Sequence, residues 1–536
     1  MNNSNLILKA LEEALKKLDY PVDNIRLTKS EKFSDFSSNI ALILQKKINK
    51  TSLEIAENIK NTIDYDKFLI KKIEIAKPGF LNFFVKNNFF VDVINKIIKK
   101  NEKYGAQNQN QKINIEFVSA NPTGFLHVGH ARGAAIGSTL ANILTFTGNK
   151  VIKEFYVNDA GNQIERLAIS VLLRYKQLFD PSVKMIEDCY MGEDIIFAAK
   201  KIKQKYNDKF QNKSIDDKEI IKIFKNESIN IMLKEIKKDL SDFNVFFDRF
   251  SSEKTLYQNN EIQNTLNSLS DTYIDNKALW LKTTKYGDDK DRVLVKNDGK
   301  YTYFAPDIAY HKQKINADGG IDKLINIWGS DHIGYIKRME IALEILGFSK
   351  DKVKILTCQI VRFLKNGELF KMSKRQGTSF TIKDLLKVVN KDSMRFFMLH
   401  RSENSVLDFD INLALEQSSK NPVFSIQYSY ARICQLLLKT NIQEFLATSF
   451  ENELELKLIN NLKIFPELID KISKNYKINL LTEYLLNLSK DFNTLYSNTK
   501  FINNPNEKSL IALAKATQIV LKIGLDLIGV SSPERM

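Results

Sequence analysis

The chain has 536 residues, with 80 Lys and Arg against 64 Asp and Glu, five His and three Cys, which gives a formal charge of +16 at pH 7. Hydrophobic residues at 43% and aromatics at 10% suffice for packed cores, and 20 Gly with 9 Pro exclude collagen-like and Pro-rich disordered chains. Cys189, Cys358 and Cys434 form no C-x-x-C pair, so neither a disulfide framework nor a zinc ribbon is expected, and no structural metal. Met1-Asn2-Asn3-Ser4-Asn5 lacks a basic region followed by an apolar one, and no apolar run approaches the roughly 18 residues of a membrane span. A soluble cytoplasmic protein with no membrane partner is expected. The basic excess suits nucleic acid, an anionic surface or solubility alone.

Leu8, Leu11, Leu15 and Leu18 mark an amphipathic helix. Leu69 to Ala76 and Phe80 to Val85 alternate as strands around Lys77-Pro78-Gly79, and Phe89 to Ile98 is helical. This predicts an α+β domain over residues 1–106, closed by the polar linker Gln107 to Lys112. Strand and helix then alternate. Ile113 to Val118 reads as a strand, Val128 to Phe146 as a helix, Val151 to Val157 as a strand, and a helix follows Gly161. Strand-like segments return at Tyr301 to Phe304, Leu324 to Trp328 and Val353 to Leu356. Such alternation predicts an α/β domain over residues 113–400, a doubly wound parallel sheet with ligands at the carboxyl ends of its strands. The stretch 180–290 is too long for a crossover and reads as an insertion. Between Gly377 and Gly524 glycine is absent, and Leu, Ile and Lys recur at helical spacing. Residues 401–536 are therefore expected to form an all-α helical bundle.

Phe125-Leu126-His127-Val128-Gly129-His130 follows the first predicted strand of the sheet. The two histidines share a face in the first turn of a helix, where unpaired N–H groups and the helix dipole attract anions. Imidazoles there can donate to phosphate oxygens as charge shifts in nucleotidyl transfer, and Gly129 leaves room for a flat ring. Alone, the pattern also fits two structural histidines at a helix start. Further on, Asn366-Gly367 between apolar flanks signals a hairpin, and Lys371-Met372-Ser373-Lys374-Arg375-Gln376-Gly377 follows it. Its lysines could close over a triphosphate, although a lysine-rich loop is by itself also an ordinary solvated surface.

Together, H-x-G-H and K-M-S-K on opposite halves of such a sheet resemble the signatures of class I aminoacyl-tRNA synthetases. Valine replaces the common isoleucine in the first motif, and Arg375 stands where the second often has serine. Three further segments resemble the arginyl-tRNA synthetase family: Glu116 to Gly124, Tyr156 to Gln163, and Trp328-Gly329-Ser330-Asp331-His332. So do Ser34 to Asn39, Lys77 to Phe83, Asn421 to Tyr428 and the carboxyl-terminal Gly529 to Met536.

The resemblance implies a Rossmann-like catalytic domain, an added amino-terminal domain approaching the tRNA elbow and a helical anticodon-binding domain. Its activity would be ATP-dependent ligation of L-arginine to tRNA(Arg) through an arginyl-adenylate, with Mg²⁺ accompanying ATP. Glu116, Ser119, Asn121, Tyr303, Asp307, Asp331 and Gln359 would hold arginine. His127, Gly129, His130, Lys371, Met372, Ser373 and Lys374 would serve ATP, with His127, His130, Lys371 and Lys374 catalytic. A guanidinium substrate needs acidic acceptors, which Glu116 and Asp307 would supply. The protein is expected to act as a monomer. Cysteinyl- or methionyl-tRNA synthetases, small-molecule nucleotidyltransferases and non-catalytic RNA-binding proteins are the alternatives. The first two of these synthetases commonly carry zinc-ligand clusters, which this sequence lacks.

Overall fold

Ile113 and Ile115 are fully buried in the strand Lys112–Glu116 (β1), the centre of a five-stranded parallel sheet. The computed structural model describes residues 3–22, 25–28, 34–370 and 380–536. After β1 the chain forms helix His130–Phe146 (α1), strand Lys150–Val157 (β2), helices Asn162–Gln177 (α2), Glu193–Tyr206 (α3) and Lys218–Asp242 (α4), and strand Arg249–Ser252 (β3). Helix Phe304–Asn316 (α5), strand Lys323–Gly329 (β4), helix Ile333–Ile345 (α6) and strand Val353–Cys358 (β5) complete the sheet region. The strand order is β5-β4-β1-β2-β3, every pair parallel. The chain winds one way through β1, β2 and β3 and the other way through β4 and β5. The order therefore reverses between β1 and β4, where crevices open at the strand ends.

In-register pairing sets Asn326, Glu116, Glu154 and Arg249 in one row across four strands. Asn326, Glu116 and Glu154 are buried, so the row must be satisfied internally. Glu154 accepts from Asn114 Nδ2 at 2.6 Å, Ser251 Oγ at 2.6 Å and Tyr310 Oη at 2.8 Å. Helix α1 carries Ala131, Ala134, Ala135, Gly137 and Ala141 on buried positions, small residues that admit a close approach. A Cβ on Gly137 would overlap the Phe117 ring.

Beyond the sheet, Val361–Lys365 (β6) and Glu368–Leu369 (β7) pair around Asn366-Gly367, whose φ of 55° and 79° make the expected two-residue hairpin. Helices Ile382–Val388 (α7) and Lys391–Leu399 (α8) follow, then strand Leu407–Asp410 (β8), which lies parallel to β6. Helices Pro422–Lys439, Glu453–Lys463, Phe465–Asn475, Asn479–Asn498 and Glu507–Ile528 make up the last third. By its contacts the chain forms two units. One gathers Met1–Glu102, Leu436–Lys463 and Asp491–Ile519; the other gathers Lys103–Gln435, Ile464–Lys490 and Val520–Met536. In the first, helix Asn3–Lys17 buries Leu11 and Leu15, and an antiparallel sheet includes Ile70–Ala76 and Phe80–Val85.

Three expectations are corrected. Tyr301 to Phe304 is no strand: Tyr301 makes one isolated bridge to Val295, and Phe304 opens α5. The stretch 180–290 is no simple insertion, because it supplies β3 to the central sheet. Nor is the chain all-helical from 401, because β8 pairs with β6.

Replacing Gly137 by Ala should lower stability by about 1–3 kcal/mol through overpacking against Phe117. Gly133→Ala, where an added Cβ meets nothing within 4 Å, should raise it by up to about 1 kcal/mol through helix propensity. Thermal unfolding of the two variants measures both.

Candidate active site

At the reversal of strand order the chain leaves β1 through Val118 and Ser119, both left-handed with φ of 68° and 42°. Each costs of order 1–3 kcal/mol for residues with a Cβ, and such strain collects at working sites. The bend places Ser119 Oγ 2.9 Å from Glu116 Oε1 and lets it accept from the Tyr156 N–H at 3.1 Å. Glu116, 6% exposed, receives the Lys314 ammonium on its other oxygen. Lys314 also donates to Asn326 Oδ1 at 3.1 Å. Asn326 Nδ2 faces His311 Nε2 at 2.6 Å, and His311 Nδ1 lies 2.7 Å from the Asp307 carbonyl. A carbonyl only accepts, so His311 is protonated on Nδ1, and burial keeps it neutral, its pKa well below the usual histidine value.

This network floors a cavity of about 190 Å³ whose lining includes Glu116, Ser119, Asp307, Tyr156, Trp328 and Tyr335. Asp307 sits in the first turn of α5, and its carboxylate accepts from Tyr335 Oη at 2.7 Å. Burial, with smaller contributions from the fields of Glu253 and Glu116, pushes its pKa up to about 7, against the Tyr335 hydrogen bond and Lys314. Trp328 and Tyr335, with ring centroids 6.0 Å apart, stand in the same wall. An ionic acceptor among aromatic faces suits a planar cation.

A second cavity, about 340 Å³, is lined by Asn121, Gly124, His127, His130, Tyr190, Asp194 and Thr381 among others. His127 Nδ1 accepts from the Gly129 N–H at 3.0 Å, so its proton is on Nε2. His130 Nδ1 lies 3.0 Å from the His127 carbonyl and must donate, which leaves a lone pair on Nε2. Burial lowers both pKa values. Gly129 serves the ring beside it: a Cβ there would stand 2.9 Å from His127 Nδ1. Leu126 O accepts from Ile382 N and Val128 N donates to Phe380 O, both at 2.9 Å, so the H-x-G-H segment pairs with residues just after the lysine-rich segment of the sequence. Thr381 caps α7 reciprocally with Asp384.

The remaining expected residues are dispersed. Asn121 donates to Gln163 Oε1 at 2.9 Å beside the histidines. Tyr303, 79% exposed, lines a third cavity of about 440 Å³ with Glu253 and Tyr257. Asp331 is exposed in the turn after β4, 3.4 Å from His332 Nε2. Gln359 is partly buried, and its carbonyl accepts from Arg132 at 3.0 Å. Lys371, Met372, Ser373 and Lys374 lie outside the described residues. Sequence reasoning missed Lys314, His311, Tyr335 and Glu253. Their only local signals are a lysine and a histidine among the polar residues of α5 and aromatic or acidic residues near strand ends.

A doubly wound sheet with these two cavities at its reversal point defines a class I aminoacyl-tRNA synthetase. Residues 93–420 match the family model "tRNA synthetases class I (R), catalytic domain", residues 5–85 "Arginyl tRNA synthetase N terminal domain" and residues 426–536 "DALR anticodon binding domain". Arginine–tRNA ligase of Mesomycoplasma hyopneumoniae is 50% identical over 532 residues, 99% of either chain; that of Bacillus subtilis is 41% identical over 522 residues, 95% of this chain and 93% of the relative. A solved structure of a putative arginyl-tRNA synthetase from Campylobacter jejuni superposes with TM-score 0.77 at 31% identity, over 84% of this chain and 100% of that one. The Thermus thermophilus arginyl-tRNA synthetase gives 0.76 at 19%, over 99% and 100%, a likeness of fold. The chain belongs to the arginyl-tRNA synthetases, the ATP-dependent ligases that charge tRNA(Arg) with arginine through an arginyl-adenylate.

The raised pKa of Asp307 has a sign that can be tested. The folded protein holds this proton more tightly than the unfolded chain, so the carboxyl group lowers stability as pH rises from about 4 through about 7. Asp307→Asn should therefore raise the unfolding temperature of the ligand-free protein at pH 8. The gain should vanish near pH 4, as followed by thermal unfolding across pH.

Proposed function

We propose that Asp307 is the ionic acceptor for the guanidinium of arginine and that His127 and His130 serve ATP. The observation that carries this reading is the placement of the Asp307 carboxylate, among Trp328, Tyr156 and Tyr335, at the reversal point of the sheet. Glu116 takes a different part from the one first expected. Its charge is matched by Lys314, so it orients Ser119 and the end of β1 and adds a hydrogen-bond acceptor. Arginine's carboxylate attacks the α-phosphorus of ATP in line, and no protein nucleophile is needed. Positioning and electrostatics supply the rate.

The tautomers give the histidines separate roles. Neutral His127 donates from Nε2 to a phosphate oxygen. His130 must first take a proton on Nε2, which an approaching polyanion favours. Lys371 and Lys374 are assigned to the departing pyrophosphate, with Met372 and Ser373 between them. Mg²⁺ accompanies ATP on its phosphates; among the described residues no three His, Cys, Asp or Glu side chains stand together as metal ligands. The terminal adenosine of tRNA(Arg) then takes the arginyl group from the adenylate. Residues 1–106 are assigned to the tRNA elbow, 113–400 to catalysis and the helical end to the anticodon, in a monomeric cytoplasmic enzyme; no described helix is long and apolar enough to cross a membrane.

Pyrophosphate exchange into ATP, with arginine and tRNA present, tests the reading. His130→Ala should lower turnover by roughly 10²–10³, the effect of losing one preorganised donor. An undiminished rate would remove His130 from the chemistry. Asp307→Asn should raise the KM for arginine far more than that for ATP, because a neutral amide replaces the ionic acceptor. Arginine affinity of the unaltered enzyme should also fall as pH drops below about 7, where the free carboxyl takes its proton. Equal damage to both substrates would make Asp307 structural.

A further inference from the structure

One wall of the histidine cavity comes from the end of the segment between α2 and α3 and the start of α3. Tyr190, Met191, Gly192 and Asp194 line it beside His127 and His130. Asp194, in the first turn of α3, holds the Ile195 N–H on Oδ1 at 2.9 Å, and the backbone N–H of Phe125 favours its charged form against burial. Its other oxygen occupies the space that a side chain on Gly124 would need, so a Cβ there would overlap Asp194 Oδ2. One turn further along α3, Phe197 meets Phe125 edge to face with centroids 5.6 Å apart. Gly124 and Phe125 immediately precede the H-x-G-H segment, whose Leu126 and Val128 are tied on the opposite flank to Ile382 and Phe380. The loop carrying His127 is thus held by α3 and by the backbone of Phe380 and Ile382.

We propose that Asp194 is a positioning residue for adenylate formation, acting through the Phe125 N–H to fix the loop that carries His127. This rests on the assignment of His127 and His130 to ATP. A carboxylate packed on Gly124 and facing the Phe125 N–H restrains the loop, and a misplacement of the histidines by a fraction of an ångström weakens contacts that matter only as phosphate charge develops. The loss therefore falls on kcat rather than on arginine binding. Glycine at 124 follows from the same contact, since it leaves room for the carboxylate that does the holding.

The test uses the full chain in arginine- and tRNA-dependent pyrophosphate exchange. Asp194→Ala should lower kcat about tenfold, the size of one charge-assisted hydrogen bond, with the KM for arginine unchanged. Asp194→Asn keeps an oxygen able to accept from Phe125 and should retain most of the rate. Gly124→Ala should be damaging alone and less so when combined with Asp194→Ala, because the overlap is then relieved. An unchanged kcat in Asp194→Ala overturns the proposal, as does a parallel loss in kcat, arginine KM and unfolding temperature in both Asp194 variants. His130→Ala in the same assay separates the two failures. If it is impaired while Asp194→Ala is normal, only this inference falls; if it is itself normal, the assignment of the histidines falls.

Discussion

A lysine and a glutamate buried against each other at the reversal of the sheet hold the site together. Lys314 sits on Glu116 and reaches Asn326, which joins α5 to β1 and β4 through one ammonium group. Removing one partner of such a buried pair costs about 3–5 kcal/mol, because the other is left charged and unsolvated. The pair also decides what the cavity offers a ligand. With the charge of Glu116 already matched by Lys314, Asp307 is the other carboxylate of this cavity, and burial pushes its pKa up to about 7. A bound guanidinium would reverse that condition and draw the carboxyl back to its ionised form.

The histidines of the H-x-G-H segment depend on a different kind of constraint. Their segment is too short to fix its own geometry, and its orientation is borrowed from backbone pairing with Phe380 and Ile382 and from the grip of α3. The Phe380 pairing falls directly after the lysine-rich segment in the sequence. Thr381 and Asp384, capping each other, set the start of α7 and so the place where that pairing is made.

Much of this was readable from local pattern. The H-x-G-H motif announced itself by two histidines at one-turn spacing, and Asn366-Gly367 adopts the positive φ angles that its residue types favour. What was hidden depends on partners far away in the chain. Lys314 lies in a helix two residues after Lys312 and reads as surface, and only its meeting with Glu116, nearly two hundred positions earlier, makes it a core residue. Arg249–Ser252 and Leu407–Asp410 are four-residue strands, too short to show alternation, and each exists because a neighbouring strand supplies its hydrogen bonds. Tyr301 to Phe304 looked like a strand because aromatic residues favour pleated surfaces, yet Phe304 belongs to α5.

The division of the helical third carries a consequence for how the protein is made. Each unit draws on the last hundred or so residues: Asp491–Ile519 in one, Ile464–Lys490 and Val520–Met536 in the other. On the catalytic side, Arg395 in α8 donates to the Ile528 carbonyl at 2.9 Å and to Ser138 Oγ at 2.8 Å, and it packs so closely on Gly529 that no side chain would fit there. Neither unit can therefore close while the chain is still emerging from a ribosome. Such long-range closure is slow and leaves apolar surface open in the meantime. An early stop a few residues before Ile528 would take away the carbonyl that Arg395 Nε donates to, while its contacts with Phe243, Asn244, Ser138 and Thr139 remain.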